Sequence, residues 1–350
     1  MKGFLITTNY PPVGGGVSRY NLGLVENSSG RLELGGTGSG PPQGDSAWAK
    51  LLQVYWSRGV ARGLPRGSTI LASQPHLGVG CLLSGRPFTQ FVHGGEWEGI
   101  PFGRVFFRFF LRFPRKIVAN SDATLARWVP PRMQGKSVVL KPGLSSHIAV
   151  RSLSPKTPAN NVPDNDDVFR IVSVARLSPR KGFARLIKAV VACQQMGANV
   201  ELCIVGSGPL MKELVKGSYG HQFISIVSNV SDAELTAMYD SADLFALVPH
   251  EISGGEAWEG FGIVYLEAAA RGLPILATNS GGISEATTPV GAVLLDEDCE
   301  EDSVKDAILK LKGAPRQLRK MAEANVFFAT QNRWVHRSSV IDSLFLSGDW

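Results

Sequence analysis

The sequence predicts an α/β protein of two doubly wound, Rossmann-like domains facing a cleft. Three observations lead there. The chain has 350 residues, more than one hydrophobic core usually organises. Short apolar runs alternate with longer helical stretches along most of it. A break rich in Pro, Asn, Asp and Ser, from Ser152 to Asp167, separates two such series and reads as a linker.

The first series begins with a strand from Gly3 to Thr7, then Pro11 and Pro12, the glycines Gly14, Gly15 and Gly16, and a helix from Val17. Further strands are expected at Thr69 to Ala72, Thr89 to His93 and Lys116 to Asn120, with a Gly/Pro-rich surface loop from Gly35 to Gly44. Between Arg104 and Lys116, helical spacing puts Arg104, Arg108 and Arg112 on one face and Phe106, Phe109, Phe110 and Phe113 on another. That phenylalanine face either enters the core or lies on a membrane. The second series predicts strands at Arg170 to Ala175, Val200 to Gly206, Ile224 to Val227, Leu244 to Val248 and Pro274 to Thr278, each followed by a turn or helix. Parallel strands joined in this way present ligands at their C-terminal ends. An amphipathic stretch from Phe327 to Phe345, centred on Trp334, closes the chain, and no internal repeat is present.

Composition narrows the function. Hydrophobic residues make up 44% and charged residues 19%, as in an ordinary globular protein. Residues 1–150 carry 17 Lys/Arg against 6 Asp/Glu, a net +11, whereas the remainder carries 19 against 24, a net −5. A basic first half suits an anionic membrane surface or a phosphorylated acceptor; no nucleic-acid-binding signature accompanies it, so no nucleic-acid partner is expected. Neither a signal peptide nor an apolar run of about 18 residues is evident, and Cys81, Cys193, Cys203 and Cys299 form no Cys-x-x-Cys pair. The expectation is a cytoplasmic protein, peripheral at the inner face of a membrane if the arginine-rich helix touches lipid.

The run Glu259-Gly260-Phe261-Gly262-Ile263-Val264-Tyr265-Leu266-Glu267 carries the most chemistry. Gly260 and Gly262 let backbone approach a ligand, and a helix starting near Ile263 offers unpaired N–H groups and a positive dipole end to phosphate. Glu267 lies one turn into that apolar helix, where a buried carboxylate needs donors such as ribose hydroxyls. Glu259 stays in the loop, nearer a sugar. Arg176 and Lys181 end another strand in Val174-Ala175-Arg176-Leu177-Ser178-Pro179-Arg180-Lys181-Gly182, suited to gripping a diphosphate, with Arg180 as local competitor. Gly15 and Gly16 can lay N–H groups against phosphate, although the loop lacks Gly-x-Gly-x-x-Gly spacing, which counts against a dinucleotide cofactor. His93 ends a strand before Gly94 and Gly95, with Glu96 and Glu98 next as acceptor contacts or solvated charges. Gly206-Ser207-Gly208-Pro209 and Gly281-Gly282 with Glu285 read as turns shaping the site. Two Asp-x-Asp strings, at Asp164 and Asp166 and at Asp296 and Asp298, fall in the linker and in an acidic helix start, so no metal site is assigned.

Taken together, these motifs resemble those of retaining glycosyltransferases with the GT-B fold, in particular the large family four that contains sucrose synthases and bacterial phosphatidylinositol and polysaccharide mannosyltransferases. The Glu-x7-Glu run, the Arg-Leu-x3-Lys-Gly turn, the first Gly-rich loop, Gly-x-Gly-Pro and the Gly-Gly-x-x-Glu turn carry the resemblance. It implies an N-terminal acceptor domain over 1–151, a linker at 152–167, a donor domain over 168–326 and a C-terminal helix, 327–350, crossing back to the first domain. It further implies a metal-independent hexosyltransferase for polysaccharide or glycolipid biosynthesis, with a nucleoside-diphosphate sugar, GDP-mannose or a UDP-sugar, as co-substrate and no other cofactor. His93, Glu259, Arg176 and Lys181 are then the catalytic candidates, and Gly15, Gly16, Phe261, Gly262, Ile263, Val264 and Glu267 join Arg176, Lys181 and Glu259 around the donor. Whether Glu259 attacks the sugar carbon or only holds a sugar hydroxyl stays open at this level. The stretch from Asn21 to Trp48 carries no family signature, leaving the acceptor undefined among glycans, lipid-linked sugars and small molecules. A nucleotide-sugar 2-epimerase of the same fold, and a nucleotide-sugar-binding protein without turnover, are the alternatives.

Overall fold

The computed structural model describes residues 2–11, 15–36, 40–42, 44, 46–94, 102–151, 168–250 and 258–345. The expected linker 152–167, with Asp164 and Asp166, lies outside the described residues, as do Gly14, Gly95, Glu96 and Glu98. The chain divides into two compact units, Met1–Gly143 with Arg333–Trp350, and Leu144–Asn332.

The first unit runs β1 (Gly3–Ile6), α1 (Gly16–Glu26), β2 (Leu32–Leu34), α2 (Ala47–Gly63), β3 (Thr69–Ala72), α3 (Pro75–Leu83), β4 (Thr89–Val92), α4 (Gly103–Phe110), β5 (Lys116–Ala119), α5 (Asp122–Trp128) and β6 (Ser137–Val139). Its strands form a parallel sheet in the order β2-β1-β3-β4-β5-β6. The sheet is covered by helices, so β4 is buried at all four positions, as parallel strands must be. The edge strands β2 and β6 escape the sequence reading because each has only three residues.

The second unit runs β7 (Phe169–Val174), α6 (Phe183–Gln195), β8 (Val200–Val205), α7 (Met211–Gly217), β9 (Ile224–Val227), α8 (Asp232–Ser241), β10 (Leu244–Leu247), α9 (Ile263–Ala270), β11 (Ile275–Thr278), β12 (Ala292–Leu295), α10 (Glu301–Lys312) and α11 (Pro315–Gln331). The order β12-β11-β10-β7-β8-β9, all parallel, is the Rossmann arrangement, and its strand order reverses between β7 and β10. A ligand site is expected outside the C-terminal ends of those two strands.

Two helices depart from expectation. The stretch from Phe327 to Phe345 is not continuous: α11 ends at Gln331, and a short 3-10 turn at Trp334–Arg337 leads into α12 (Ser338–Ser343). This last segment packs in the first unit, where buried Trp334 meets Tyr20 edge-on at 5.3 Å. Helix α4 does not divide into one phenylalanine face and one arginine face. Phe107, Phe110 and Leu111 fill the core, while Phe102, Val105, Phe106, Phe109 and Phe113 remain exposed. Two apolar stripes at helical spacing therefore flank the arginines, and only one is used by the fold.

Gly23 in α1 faces Trp334 so closely that a Cβ there would overlap the indole. Gly59 in α2 is exposed and a Cβ would meet nothing within 4 Å. We expect Gly59→Ala to stabilise by about 0.5–1 kcal/mol through helix propensity and Gly23→Ala to destabilise by about 1–3 kcal/mol through overpacking. Thermal unfolding of the two variants checks this, and a Gly23→Ala protein as stable as Gly59→Ala would mean that Trp334 is not seated against α1.

Candidate active site

In the second unit, β7 leads into the turn Arg176 to Gly182, whose last helical step, Pro179–Lys181, brings Lys181 inward. Gly182 completes the turn at φ 71, where the backbone passes so close to Val248 at the end of β10 that a Cβ would strike the Val248 carbonyl. His250 N–H donates to the Arg180 carbonyl at 3.0 Å, tying the two strand ends together. Lys181 is buried and its ammonium donates to Oε2 of Glu259, while Arg180 Nη1 lies 3.1 Å from the same oxygen. Oε1 of Glu259 accepts no hydrogen bond from a described residue.

Burial on its own would raise the Glu259 carboxyl, but Lys181 first and Arg180 second overcome it and hold the group at about 2. Burial also lowers the Lys181 ammonium, opposed by the Glu259 charge and reinforced by Arg180. The two shifts pull the shared proton in opposite senses. With both cations on one carboxylate oxygen the ionised pair is favoured, and the trio carries one surplus positive charge.

Glu259 is fixed from behind by the second glycine pair. Gly282 N–H donates to the Glu259 carbonyl at 2.9 Å, and a Cβ at Gly281, at φ 58, or at Gly282 would strike the 259–260 backbone. From here the chain enters α9 through Gly262 in the left-handed region at φ 88, with no side-chain cap. The N–H groups of Ile263 and Val264 therefore open the helix without intrahelical acceptors, a setting that attracts an anion. Phe261 and Ile263 are buried and Val264 is half-buried. Glu267 is 1% exposed, and its Oε2 accepts from Tyr239 Oη at 3.4 Å. Tyr265 Oη donates to the Leu247 carbonyl at 3.1 Å, locking α9 to β10. Arg176 is exposed at the end of β7 and forms no ion pair with a described residue. Gly206 and Gly208, φ 155 and 158, lie against the carbonyls of Ala175 and Leu177, and Leu177 N–H donates to Ser207 O at 2.9 Å. The Gly206 to Pro209 turn thus props the Arg176 to Gly182 turn.

The structure brings Lys181, Glu259 and the head of α9 together at the point where the strand order reverses, and adds Arg180, Tyr239 and Tyr265. Arg180 was visible in sequence as a neighbour of Lys181; the tyrosines carried no signal beyond helical periodicity. Asp296 and Asp298 are exposed past β12, and Glu297 between them accepts from Ser280 Oγ at 2.7 Å. Among the described residues no group of three or more His, Cys, Asp or Glu could hold a metal ion.

In the first unit, His93 follows β4 and is buried against Tyr20, ring centroids 5.0 Å apart, and Phe91 at 6.2 Å. Its carbonyl accepts from Asn120 Nδ2 at 3.1 Å. Burial lowers the imidazole to about 4, with a backbone hydrogen bond to Ser73 acting the other way. Gly15, at φ 113, caps α1 and Gly16 starts it, both exposed, with no atom within 4 Å of an added Cβ. Buried Asn21, which the sequence did not single out, donates to Thr7 Oγ1, the Asn9 carbonyl and Ser73 Oγ at 3.0, 2.7 and 3.0 Å. It joins the ends of β1 and β3, where this sheet's order reverses.

Two Rossmann-like units of this topology define the GT-B fold, and the structural likenesses agree. The Anabaena HepE protein solved with UDP and glucose superposes with a TM-score of 0.75 at 19% identity, covering 98% of each chain. WaaG, a glycosyltransferase involved in lipopolysaccharide biosynthesis, does so at 0.72 and 16% identity over 99% of this chain and all of that one. Residues 157–326, which make up most of the second unit, match the family described as glycosyl transferases group 1. The GDP-mannose-dependent alpha-(1-6)-phosphatidylinositol monomannoside mannosyltransferase of Mycobacterium tuberculosis is 32% identical over 183 residues, 51% of this chain and 47% of that protein. A Corynebacterium glutamicum mannosyltransferase described as acting on the monoacylated form is 30% identical over 188 residues, 52% and 49% of the two chains. The chain thus matches these curated relatives over about half of their length.

For His93 the lowered value has a definite sign. A histidine depressed in the folded state contributes stability above its unfolded value, near 6.5, that is lost as pH falls through about 4. We expect the His93 ring resonances, followed by NMR, to stay in the neutral form at pH 6 and to titrate near 4; a midpoint above 6 would place the ring in a wetter setting.

Proposed function

We propose that the protein is a metal-independent, retaining glycosyltransferase that moves a hexosyl group from a nucleoside-diphosphate sugar to a lipid-linked glycan acceptor. The observation that carries this is the clamp of Lys181 and Arg180 on a single oxygen of Glu259 beside the uncapped start of α9. Lys181, Arg176 and the N–H groups of Ile263 and Val264 supply positive potential for a departing diphosphate. Glu259 Oε1 can accept from a sugar hydroxyl, and Glu267 is the candidate acceptor for ribose hydroxyls. A carboxylate held at about 2 by two cations is a weak nucleophile, which favours the hydroxyl contact over covalent attack for Glu259. His93, neutral above about pH 4, and the Gly15–Gly16 turn are the first unit's candidates. GDP-mannose is the leading donor because the Mycobacterium and Corynebacterium relatives are described as GDP-mannose-dependent.

The test is nucleotide release from GDP-mannose, UDP-glucose and UDP-N-acetylglucosamine after exhaustive chelation, with the anomeric configuration of the product read by NMR. We expect slow, chelator-insensitive turnover of one donor, with retained configuration. Strict restoration by manganese would reject the metal-free mechanism, and a 2-epimeric sugar formed without acceptor would identify an epimerase. We expect Lys181→Ala to lower donor turnover by about 100-fold. It also costs stability, because it leaves Glu259 buried with Arg180 alone. Normal donor kinetics in a folded Lys181→Ala protein would defeat the assignment.

Helix α4 supports the lipid-linked acceptor in this reading. Phe102, Phe106 and Phe109 are 78%, 63% and 52% exposed on the stripe the core does not use, flanked by exposed Arg104, Arg108 and Arg112. Bulky aromatics beside arginines suit the interface of an anionic membrane. Among the described residues no helix is long and apolar enough to cross a membrane, and the contact proposed for α4 is a peripheral one. We expect the protein to float with vesicles containing phosphatidylglycerol and not with neutral vesicles, and Phe106→Ser with Phe109→Ser to abolish flotation without lowering thermal stability. Equal binding of wild type and variant would remove α4 from the membrane contact.

A further inference from the structure

Arg180 and Lys181 are neighbours in sequence, and one step along a 3-10 turn rotates a side chain by about 120°. They therefore reach Oε2 of Glu259 from different directions. Their backbone is held on both sides: Lys181 N–H donates to the Ser178 carbonyl at 3.1 Å, and the Arg180 carbonyl accepts from His250 N–H at 3.0 Å. The three side chains are unequally wet. Lys181 is 7% exposed and Glu259 12%, whereas the Arg180 guanidinium, 3.1 Å from the shared oxygen, is 29% exposed. Among the described residues Tyr265 also faces the trio and His250 adjoins it. Burial raises the Tyr265 phenol, whose proton goes to the Leu247 carbonyl, and burial with Arg185 lowers the His250 imidazole, so neither brings a charge.

One cation suffices to neutralise Glu259, so the resting charge does not account for the second. A diphosphate at the head of α9 would draw Lys181 toward its own, larger negative charge. With Lys181 as the sole partner, that movement would strand a carboxylate of low exposure, and buried glutamates without a counter-ion titrate as high as about 8–9. Glu259 would then take up a proton, and one of its oxygens would become a donor. Arg180 on the same oxygen removes this penalty, because the carboxylate keeps a partner throughout the exchange. From this arrangement we propose that Arg180 is a positioning residue for Glu259: it keeps the carboxylate paired and in place while Lys181 turns to the donor's diphosphate, so that the exchange takes up no proton. The proposal rests on the reading of Lys181 as a diphosphate ligand and gives Arg180 a role that does not involve touching the donor.

The test is calorimetry with GDP and UDP at pH 8, where the free diphosphate is ionised, in buffers of contrasting ionisation heat, which counts the protons taken up on binding. For the tighter of the two nucleotides, Arg180→Gln is expected to bind about tenfold more weakly than wild type and to take up about half a proton more per site. Its affinity should fall further as pH rises, since the bound state holds the extra proton. Arg180→Lys, which keeps the charge, should show neither change. Arg180→Gln combined with Glu259→Gln restores the surplus of one positive charge and carries the test if the single variant does not fold. This double variant should bind the nucleotide, which has no sugar for Glu259 to hold, within about threefold of wild type and without the extra proton. An Arg180→Gln protein with wild-type proton uptake, or a double variant that remains about tenfold weaker, would overturn the positioning role; the second result would put Arg180 on the phosphate. Either result leaves the reading of Lys181 intact. A Lys181→Ala protein that binds the diphosphate as wild type does would overturn that reading, and the role of Arg180 with it.

Discussion

The buried ion pair between Lys181 and Glu259 is the constraint on which the second unit's architecture turns. Neither charge could be buried alone at a tolerable cost, and the two residues come from turns after β7 and after β10, strands adjacent in the sheet but distant in sequence. Bringing the turns within ion-pair distance forces backbone against backbone. Gly182 against Val248 and the pair Gly281 and Gly282 against Glu259 and Gly260 are the places where that approach leaves no room for a Cβ. The glycines of this region serve the closeness of the turns, and the close turns present the lysine, the glutamate and the open end of α9 on one strand edge.

The first unit solves a similar problem with neutral groups. Where its sheet order reverses, Asn21 reaches from α1 to the ends of β1 and β3, and Ser73 beyond β3 also holds the ring of His93. The Asn21 amide shares its two N–H bonds among three acceptors and its oxygen accepts from Ser73 Oγ at 3.2 Å, so the side chain is held at both ends beneath exposed Gly15 and Gly16. Trp334, packed on Tyr20 and Gly23, adds the last segment of the chain to the same structure, so α1 is held at its glycine end by hydrogen bonds and along its flank by aromatic packing.

What the sequence disclosed follows from the physics of each element. Central strands are short apolar runs because both faces are covered, so β4, β10 and β11 were plain, whereas the edge strands β2 and β6 pair on one side only and at three residues are too short to stand out. The glycine-bounded run from Glu259 to Glu267 was legible because glycine in a left-handed turn and a carboxylate in an apolar helix each violate a local preference. Helix α4 misled because a helical wheel finds apolar faces without saying which one the core takes, and two such faces share this helix. The tie of Arg151 N–H to the Ala270 carbonyl at the end of α9 was illegible, since a backbone hydrogen bond leaves no mark on residue type.

The charge arrangement explains why the clamp can be both stable and receptive. Glu259 neutralises one of its two cations, so the trio holds a net positive charge while no member is buried without a counter-ion. Both cations sit on Oε2, and in a carboxylate the charge drawn toward one oxygen leaves the other with weaker but geometrically open lone pairs, suited to accept a neutral hydroxyl rather than to attack carbon. An anion arriving beside α9 would meet Lys181 and Arg180 already in position, with the cost of their burial met by Glu259 before any ligand is bound. Either cation is released from a shared oxygen more readily than from an exclusive one, which is the property that the phosphate contact proposed for Lys181 would require.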